Sequence, residues 1–192
     1  MPQSKSRTRA SAVQREIKQS RPFRSTAQEA TIALLRTASV VHRVFARVLE
    51  PWALSLAQYN ALRIIRGAGA GGIPTLSIRE RMVEEGTTIT RILDKLEDAG
   101  LVRRERSFPD RRQVLCYATD SGRKLLDTLD PQMDSTDEEV VAVLNETQLE
   151  QFIELLDEVR AANAERGAPR TAVVRDAGPS GRSTRVRARG TK

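Results

Sequence analysis

The 192-residue chain carries 32 Lys and Arg against 25 Asp and Glu, a formal charge of +7, with 39% apolar residues, one cysteine and one histidine. Its apolar runs fall far short of the roughly 18 residues of a membrane-spanning helix, and residues 1–24 lack the apolar stretch of a secretory signal, so a cytoplasmic protein without a membrane partner is expected. Cys116 and His42 alone cannot make an intrachain disulfide, a Cys/His zinc site or a Cys–His nucleophile pair at neighbouring positions; much enzyme chemistry is excluded.

The positive charge is unevenly placed. Residues 1–24 hold 7 basic and 1 acidic side chains and residues 166–192 hold 8 and 1, while 25–165, with 17 and 23, is negative. Both tails are rich in Ser and Arg and too poor in apolar residues to offset the entropy of ordering. They are expected to be disordered, either as solubilising extensions or as sequence-independent phosphate-binding arms. Residues 79–124 carry 11 basic and 9 acidic side chains but 125–165 carry 1 and 12, so a nucleic-acid surface is expected within 79–124 or in the tails.

From Thr26 to about Glu50, Leu34, Ala38, Val41, Phe45 and Val48 mark the narrow apolar seam of a long helix. Ser55-Leu56-Ala57-Gln58 predicts a capping box, with Leu54 and Tyr59 as its hydrophobic staple, opening a helix that ends at Gly67. After a Gly/Ala loop over 67–72, Ser77-Ile78-Arg79-Glu80 predicts a second capping box and a short helix to about Glu84, broken at Gly86. Thr87 or Thr88 then caps a helix with Ile89, Ile92, Leu93, Leu96 and Ala99 on its apolar side and Gly100 just past its end. Thr88, Arg91, Lys95 and Asp98 fall on the opposite side. Two helices joined by a tight turn make a helix-turn-helix pattern.

Runs 101–106 and 113–119 flank Pro109-Asp110-Arg111-Arg112 and predict a hairpin with two arginines at its tip. Thr119 caps a long helix through Leu125, Leu126 and Leu129, with a kink expected at Pro131. Thr147-Gln148-Leu149-Glu150 predicts a third capping box, opening a last helix with the stripe Leu149, Phe152, Ile153, Leu156 and Val159 and an end near Ala162.

A helix-turn-helix followed at once by a basic hairpin is the winged-helix plan. Its second helix fits the major groove of double-stranded DNA, where base edges are distinguishable. An arginine at the hairpin tip enters the minor groove, where the potential is most negative when the groove is narrow; Asp110 is placed to pair with Arg112 and hold it extended. One of Thr87, Thr88 and Thr90 is a cap, and the others are expected to contact bases or phosphates. Arg103, Arg104 and Arg106 alternate along a strand, so that one face meets phosphate and the other meets solvent or Glu105. Cys116, between Leu115 and Tyr117 without an activating neighbour, reads as a packed thiol. His42 reads as a packing or interface residue. Phe45, Trp52 and Tyr59 read as core, an effector pocket being the alternative.

The stretches LSLAQYNALRIIRGAG (54–69), ITRILDKLEDAGLVRRERSFPDRRQVLCYATDSGRKLL (89–126) and ETQLEQFIELLDEV (146–159) resemble the MarR family of transcriptional regulators over about residues 28–162. The resemblance implies a mainly α fold with a small β-hairpin wing: a winged helix-turn-helix domain at 55–119 and dimerisation helices at 25–52 and 120–165, between basic tails at 1–24 and 166–192. It further implies a homodimer with recognition helices 87–99 in the major groove and wings 101–119 in the minor groove of a pseudo-palindrome. The expected role is a repressor released by a small-molecule effector, without cofactor or metal. Asp110 and Arg112 match the family's wing-tip Asp-x-Arg, and Thr87, Thr88, Thr90 and Arg91 match the groove-facing first turn of its recognition helix. Lys95, Arg104 and Arg111 complete the expected DNA-binding set from the reading of the residues themselves. The opening Glu84-Glu85-Gly86-Thr87-Thr88 departs from the Ser-Pro-Ser type common in the family. Two other readings stay open: an architectural, sequence-tolerant DNA-binding protein relying on its tails, and a helical interaction protein that has lost DNA binding, suggested by the acidic 125–165 segment. An enzyme is disfavoured, because nothing assembles a nucleophile, a base and an orienting group.

Overall fold

The structure is a computed structural model, and it describes residues 11–83, 88–107 and 113–167, the side chains of 165–167 excepted. A five-residue helix, α1 (Ala12–Glu16), forms where the composition indicates only a tail. Ser11 caps it by accepting from the Gln14 amide at 3.3 Å, and Glu16 pairs with Arg36 of the next helix at 3.3 Å. Averaging over 24 residues hides this local signal. Helix α2 (Thr26–Leu49) follows the predicted span, and Ser25 caps it through the Gln28 amide at 3.1 Å. A 3₁₀ turn over Glu50–Trp52 ends at Ala53, which adopts left-handed φ 52° and turns the chain into α3.

Helix α3 (Leu56–Gly67) opens with the predicted capping box: Ser55 Oγ accepts from the Gln58 amide at 3.2 Å, and Gln58 Oε1 accepts from the Ser55 amide at 2.9 Å. The staple residues Leu54 and Tyr59 are both buried. Beyond a second 3₁₀ turn, Gly69–Gly71, the chain forms a strand that the sequence does not signal, β1 (Ile73–Pro74). Two residues are too short to show alternation, and a proline is tolerated because β1 lies at the sheet edge.

Helix α4 (Thr75–Arg81) begins three residues ahead of the capping register expected at Ser77 and stops three before Glu84. Pro74, at φ −61° and ψ 142°, occupies the cap position without a side-chain bond, and its fixed φ already directs the chain into the first turn. Ser77 therefore lies inside the helix. Helix α5 (Ile89–Asp98) ends as predicted: Gly100, at φ +68°, donates to Glu97 O at 2.8 Å and Leu101 donates to Leu96 O at 2.9 Å. This paired closure needs a left-handed residue at Gly100.

Strands β2 (Val102–Arg106) and β3 (Val114–Ala118) form the predicted hairpin. The antiparallel sheet has the order β1-β3-β2, with Ile73 opposite Cys116 and Arg104 opposite Cys116 on the other side. Helix α6 (Asp120–Val141) is capped by Thr119, whose Oγ1 accepts from the Gly122 amide at 3.0 Å, and it continues through Pro131. Leu49, Leu62, Ile65, Ile78, Leu93, Leu96, Val102, Cys116, Leu126 and Leu129 are fully buried, so a single core joins α2 to α6 and the sheet.

Residues 144–167 belong to a second unit. Its helix α7 (Glu146–Gly167) is capped by Asn145 instead of Thr147. The Asn145 amide donates to Gln148 Oε1 and the Gln148 amide to Asn145 Oδ1, both at 3.0 Å. This is the same reciprocal box two residues earlier, and asparagine is at least as good a cap as threonine. The helix also runs five residues past Ala162.

Candidate nucleic-acid interface

Helix α5 is sharply two-sided. Ile89, Ile92, Leu93 and Leu96 are buried in the core, and Thr88, Thr90, Arg91 and Lys95 are exposed on the opposite side. Thr88 holds the cap position, φ −69° and ψ 95°, but its hydroxyl makes no cap bond; two backbone amides, of Arg91 and Ile92, bond to its carbonyl instead. Arg91 and Lys95 form no ion pair with another described residue. The helix thus presents two threonine hydroxyls, two cations and, near its end, the exposed Asp98 carboxylate on its outward side. Thr87 lies outside the described residues, as do Asp110, Arg111 and Arg112 of the hairpin tip and residues 1–10 and 168–192 of the tails.

The wing strand distributes its arginines unequally. Arg103 lies 4.0 Å from the centroid of the Tyr117 ring and pairs with Glu105. Gly72 lies against the same ring at φ +68°, where a Cβ would come within 2.5 Å of Tyr117 Cε1. Arg106 is exposed. Arg104, expected to contact phosphate, turns back onto α5. Its Nη2 lies 2.7 Å from Asp94 Oδ1 and 2.6 Å from Glu97 Oε2, its Nε donates to Glu97 Oε2 at 2.8 Å, and its backbone amide donates to Glu97 Oε1 at 3.1 Å. Only 25% of the Arg104 side chain is exposed. The guanidinium holds the Glu97 carboxyl below the usual glutamate range, and the Glu97 carboxylate pushes Arg104 up. Sequence reasoning missed Asp94 and Glu97. The available signal was two acids three apart on one helix, with an arginine four residues past the closing glycine.

Cys116 is fully buried, and burial pushes its thiol up, as a packed thiol requires. His42 is exposed on α2. A cavity of about 230 Å³ is lined by Phe45, Leu56, Tyr59, Arg63 and Met133 among others. The Tyr59 hydroxyl donates to Asp130 Oδ1 at 3.1 Å, and burial followed by that bond pushes its pKa up to about 12. Trp52, expected in the core with Phe45 and Tyr59, is instead 40% exposed, and it does not line this cavity either.

Helices α4 and α5, followed by the β2–β3 wing and closed by β1, define a winged helix-turn-helix protein. The MarR family profile matches residues 54–114. The transcriptional regulator HosA of Escherichia coli O157:H7 is 34% identical over 103 residues, 54% of this chain and 75% of its own. This chain belongs to the MarR family, and the relatives it matches are named as transcriptional regulators. A MarR transcription factor from Planctomyces limnophilus superposes with TM-score 0.55 at 34% identity, over 71% of this chain and 98% of that one. A cysteine-to-serine mutant of E. coli MarR, solved in complex with operator DNA, shares the fold with TM-score 0.61 at 23% identity, over 66% and 90% of the two chains. Among the described residues no helix is long and apolar enough to cross a membrane.

Proposed function

We propose that this regulator is a cytoplasmic homodimer that reads a pseudo-palindromic operator in double-stranded DNA. Helix α5 enters the major groove with Thr88, Thr90, Arg91 and Lys95, together with Thr87, while the wing tip places Arg111 and Arg112, held by Asp110, in the adjacent minor groove. The carrying observation is the outward face of α5, where hydroxyls and exposed cations stand on a helix whose other face is anchored in the core. Such groups match base-edge acceptors and phosphates. A neighbour that shares the fold was solved in complex with operator DNA, which supports a DNA-binding reading. Dimerisation is supported by apolar side chains left uncovered in the single chain, Leu35 on α2 and, separately, Ile153 and Leu155 on α7.

The protein acts by binding rather than catalysis, as a repressor released by a small effector. The cavity beside Tyr59 and Arg63 is the receptor for it: an apolar lining from Phe45, Leu56 and Met133 with the polar groups of Tyr59, Asn60, Arg63 and Asp137 suits a small, largely apolar molecule with a polar end. Selection of duplexes from a random pool, followed by titration of the enriched sequence, tests the proposal. Arg91→Ala and Arg112→Ala each weaken binding to that sequence by about 1–3 kcal/mol. Enrichment of no sequence, with binding abolished on removal of residues 168–192, supports the architectural reading instead.

A further inference from the structure

The four contacts of Arg104 with Asp94 and Glu97 assign it a role other than touching DNA. We infer that Arg104 is a positioning residue: it fastens the wing strand β2 to the recognition helix α5, fixes the angle at which α5 is presented, and neutralises the carboxylates that would otherwise face phosphate. This rests on the reading of α5 as the DNA-facing helix and adds to it a requirement on the helix's own acidic side chains.

Three observations carry it. First, the guanidinium is engaged by two carboxylates at once: Nε and Nη2 converge on Glu97 Oε2 and Nη2 also reaches Asp94 Oδ1, at 2.6–2.8 Å, lengths typical of charge-assisted bonds. Second, the backbone joins in. The Arg104 amide donates to the other oxygen of Glu97 at 3.1 Å, so Glu97 accepts from main chain and side chain of one strand residue at once. A glutamate bound in this way sets the position of β2 as well as the Arg104 rotamer. Third, the charges of α5 require it. Ile89–Asp98 contains Arg91 and Lys95 but also Asp94, Glu97 and Asp98, a net negative helix in a place that must approach a polyanion. Arg104 supplies the missing positive charge from the neighbouring element. The side chain is only one quarter exposed, whereas the groove-facing cations of α5 are exposed.

The alternative is that Arg104 is a phosphate contact, merely parked on Glu97 in the unbound protein. The two roles give opposite results for Glu97→Gln. Removing one negative charge beside DNA and releasing Arg104 strengthens binding if Arg104 is a phosphate ligand. If Arg104 is a positioning residue, the same change weakens binding to the selected duplex by about tenfold, while affinity for random DNA stays the same or rises. Arg104→Met provides the second readout. As a positioning residue it lowers operator affinity with an unchanged slope of log K against log salt; loss of a phosphate contact makes that slope shallower by about one.

The experiment uses the full-length chain and the duplex enriched from the random pool, with wild type, Glu97→Gln, Arg104→Met and Arg91→Ala titrated across a series of salt concentrations. Thermal melts confirm that each variant folds. Weaker specific binding by Glu97→Gln together with an unchanged slope for Arg104→Met supports the inference. Tighter or equal specific binding by Glu97→Gln, or a shallower slope for Arg104→Met, overturns it. The Arg91→Ala arm separates the two levels: if Arg91→Ala also leaves affinity unchanged, the placement of α5 in the groove fails; if only the Arg104 and Glu97 outcomes fail, that placement stands.

Discussion

Gly122 and Gly72 occupy places where a methyl group has no room, for different reasons. At Gly122, in the first turn of α6, a Cβ would lie 2.2 Å from the carbonyl oxygen of Leu101, and that oxygen is already fixed by the Thr119 amide at 3.0 Å. Neither side can yield without moving main chain. Gly122→Ala is expected to destabilise the fold by about 3 kcal/mol or more, read as a fall in the urea midpoint at unchanged slope. At Gly72 the obstacle is the Tyr117 ring, which can rotate, but φ +68° adds strain for any other residue. A smaller loss, about 1–2 kcal/mol, is expected for Gly72→Ala, and a Tyr117→Ala background should recover part of it. The first glycine stands in the Thr-x-x-Gly stretch that carries the family resemblance. The second was read only as part of a loop, because a one-sided approach by an aromatic ring 45 positions later leaves no local trace.

Tyr59 makes a prediction about pH. Its pKa is raised to about 12 by burial and by the bond to Asp130, so the folded state holds this proton more tightly than the unfolded chain does. The stabilisation is complete below the ordinary tyrosine value near 10 and is lost as pH rises from there through about 12. In a Tyr117→Phe protein, phenolate absorbance should therefore appear about two units later than in free tyrosine, or together with unfolding.

At the scale of elements, the capping boxes show what sequence resolves and what it does not. Ser-x-x-Gln at Ser55 has a hydrophobic staple and no rival nearby, and the helix starts there. Ser55→Ala is expected to cost about 1 kcal/mol, measurable by thermal melting. Ser77 opens the equivalent Ser-x-x-Glu, but Pro74 stands three residues upstream and, through its fixed backbone angle, takes the start for itself. Thr147 loses to Asn145, which finds its own partner in Gln148. The element was legible each time; its first residue was decided by competition between neighbouring signals.

The candidate site divides along the same line. The outward face of α5 was legible because helical periodicity separates Thr88, Arg91, Lys95 and Asp98 from the buried stripe, while Thr90 was marked as a contact by its place beside the cap and by the family resemblance. The partner of Arg104 was not, since it depends on how the turn at Gly100 folds β2 back over α5. The arrangement also has an acid limit. The Glu97 carboxyl is held below the ordinary glutamate value by Arg104, so its contribution is present above that value and is lost as pH falls through the lower folded one. DNA affinity at constant salt should stay flat through neutral pH and drop only on the acid side, and the drop should be absent in Glu97→Gln.

At the scale of the whole molecule, the uncovered apolar residues of α2 and α7 lead to a prediction about concentration. If these faces are buried between two copies, melting temperature rises with protein concentration, and Leu35→Glu lowers it and removes the dependence. Net charge makes the second point: the positive excess lies in 1–24 and 166–192, and 25–165 is negative. On the proposed reading, long-range attraction to DNA is expected from the tails and discrimination from α5 and the wing.

The two-residue strand β1 has a further consequence. It pairs with one edge of β3 while β2 pairs with the other, and Pro74 passes directly into the first residue of α4. The root of the wing and the entrance to the helix-turn-helix are thus stitched to a shared central strand. In deuterated solvent the amides of β3 should be released from protection only when this whole assembly opens, so wing and helices behave as one cooperative unit rather than as an arm hinged on a body.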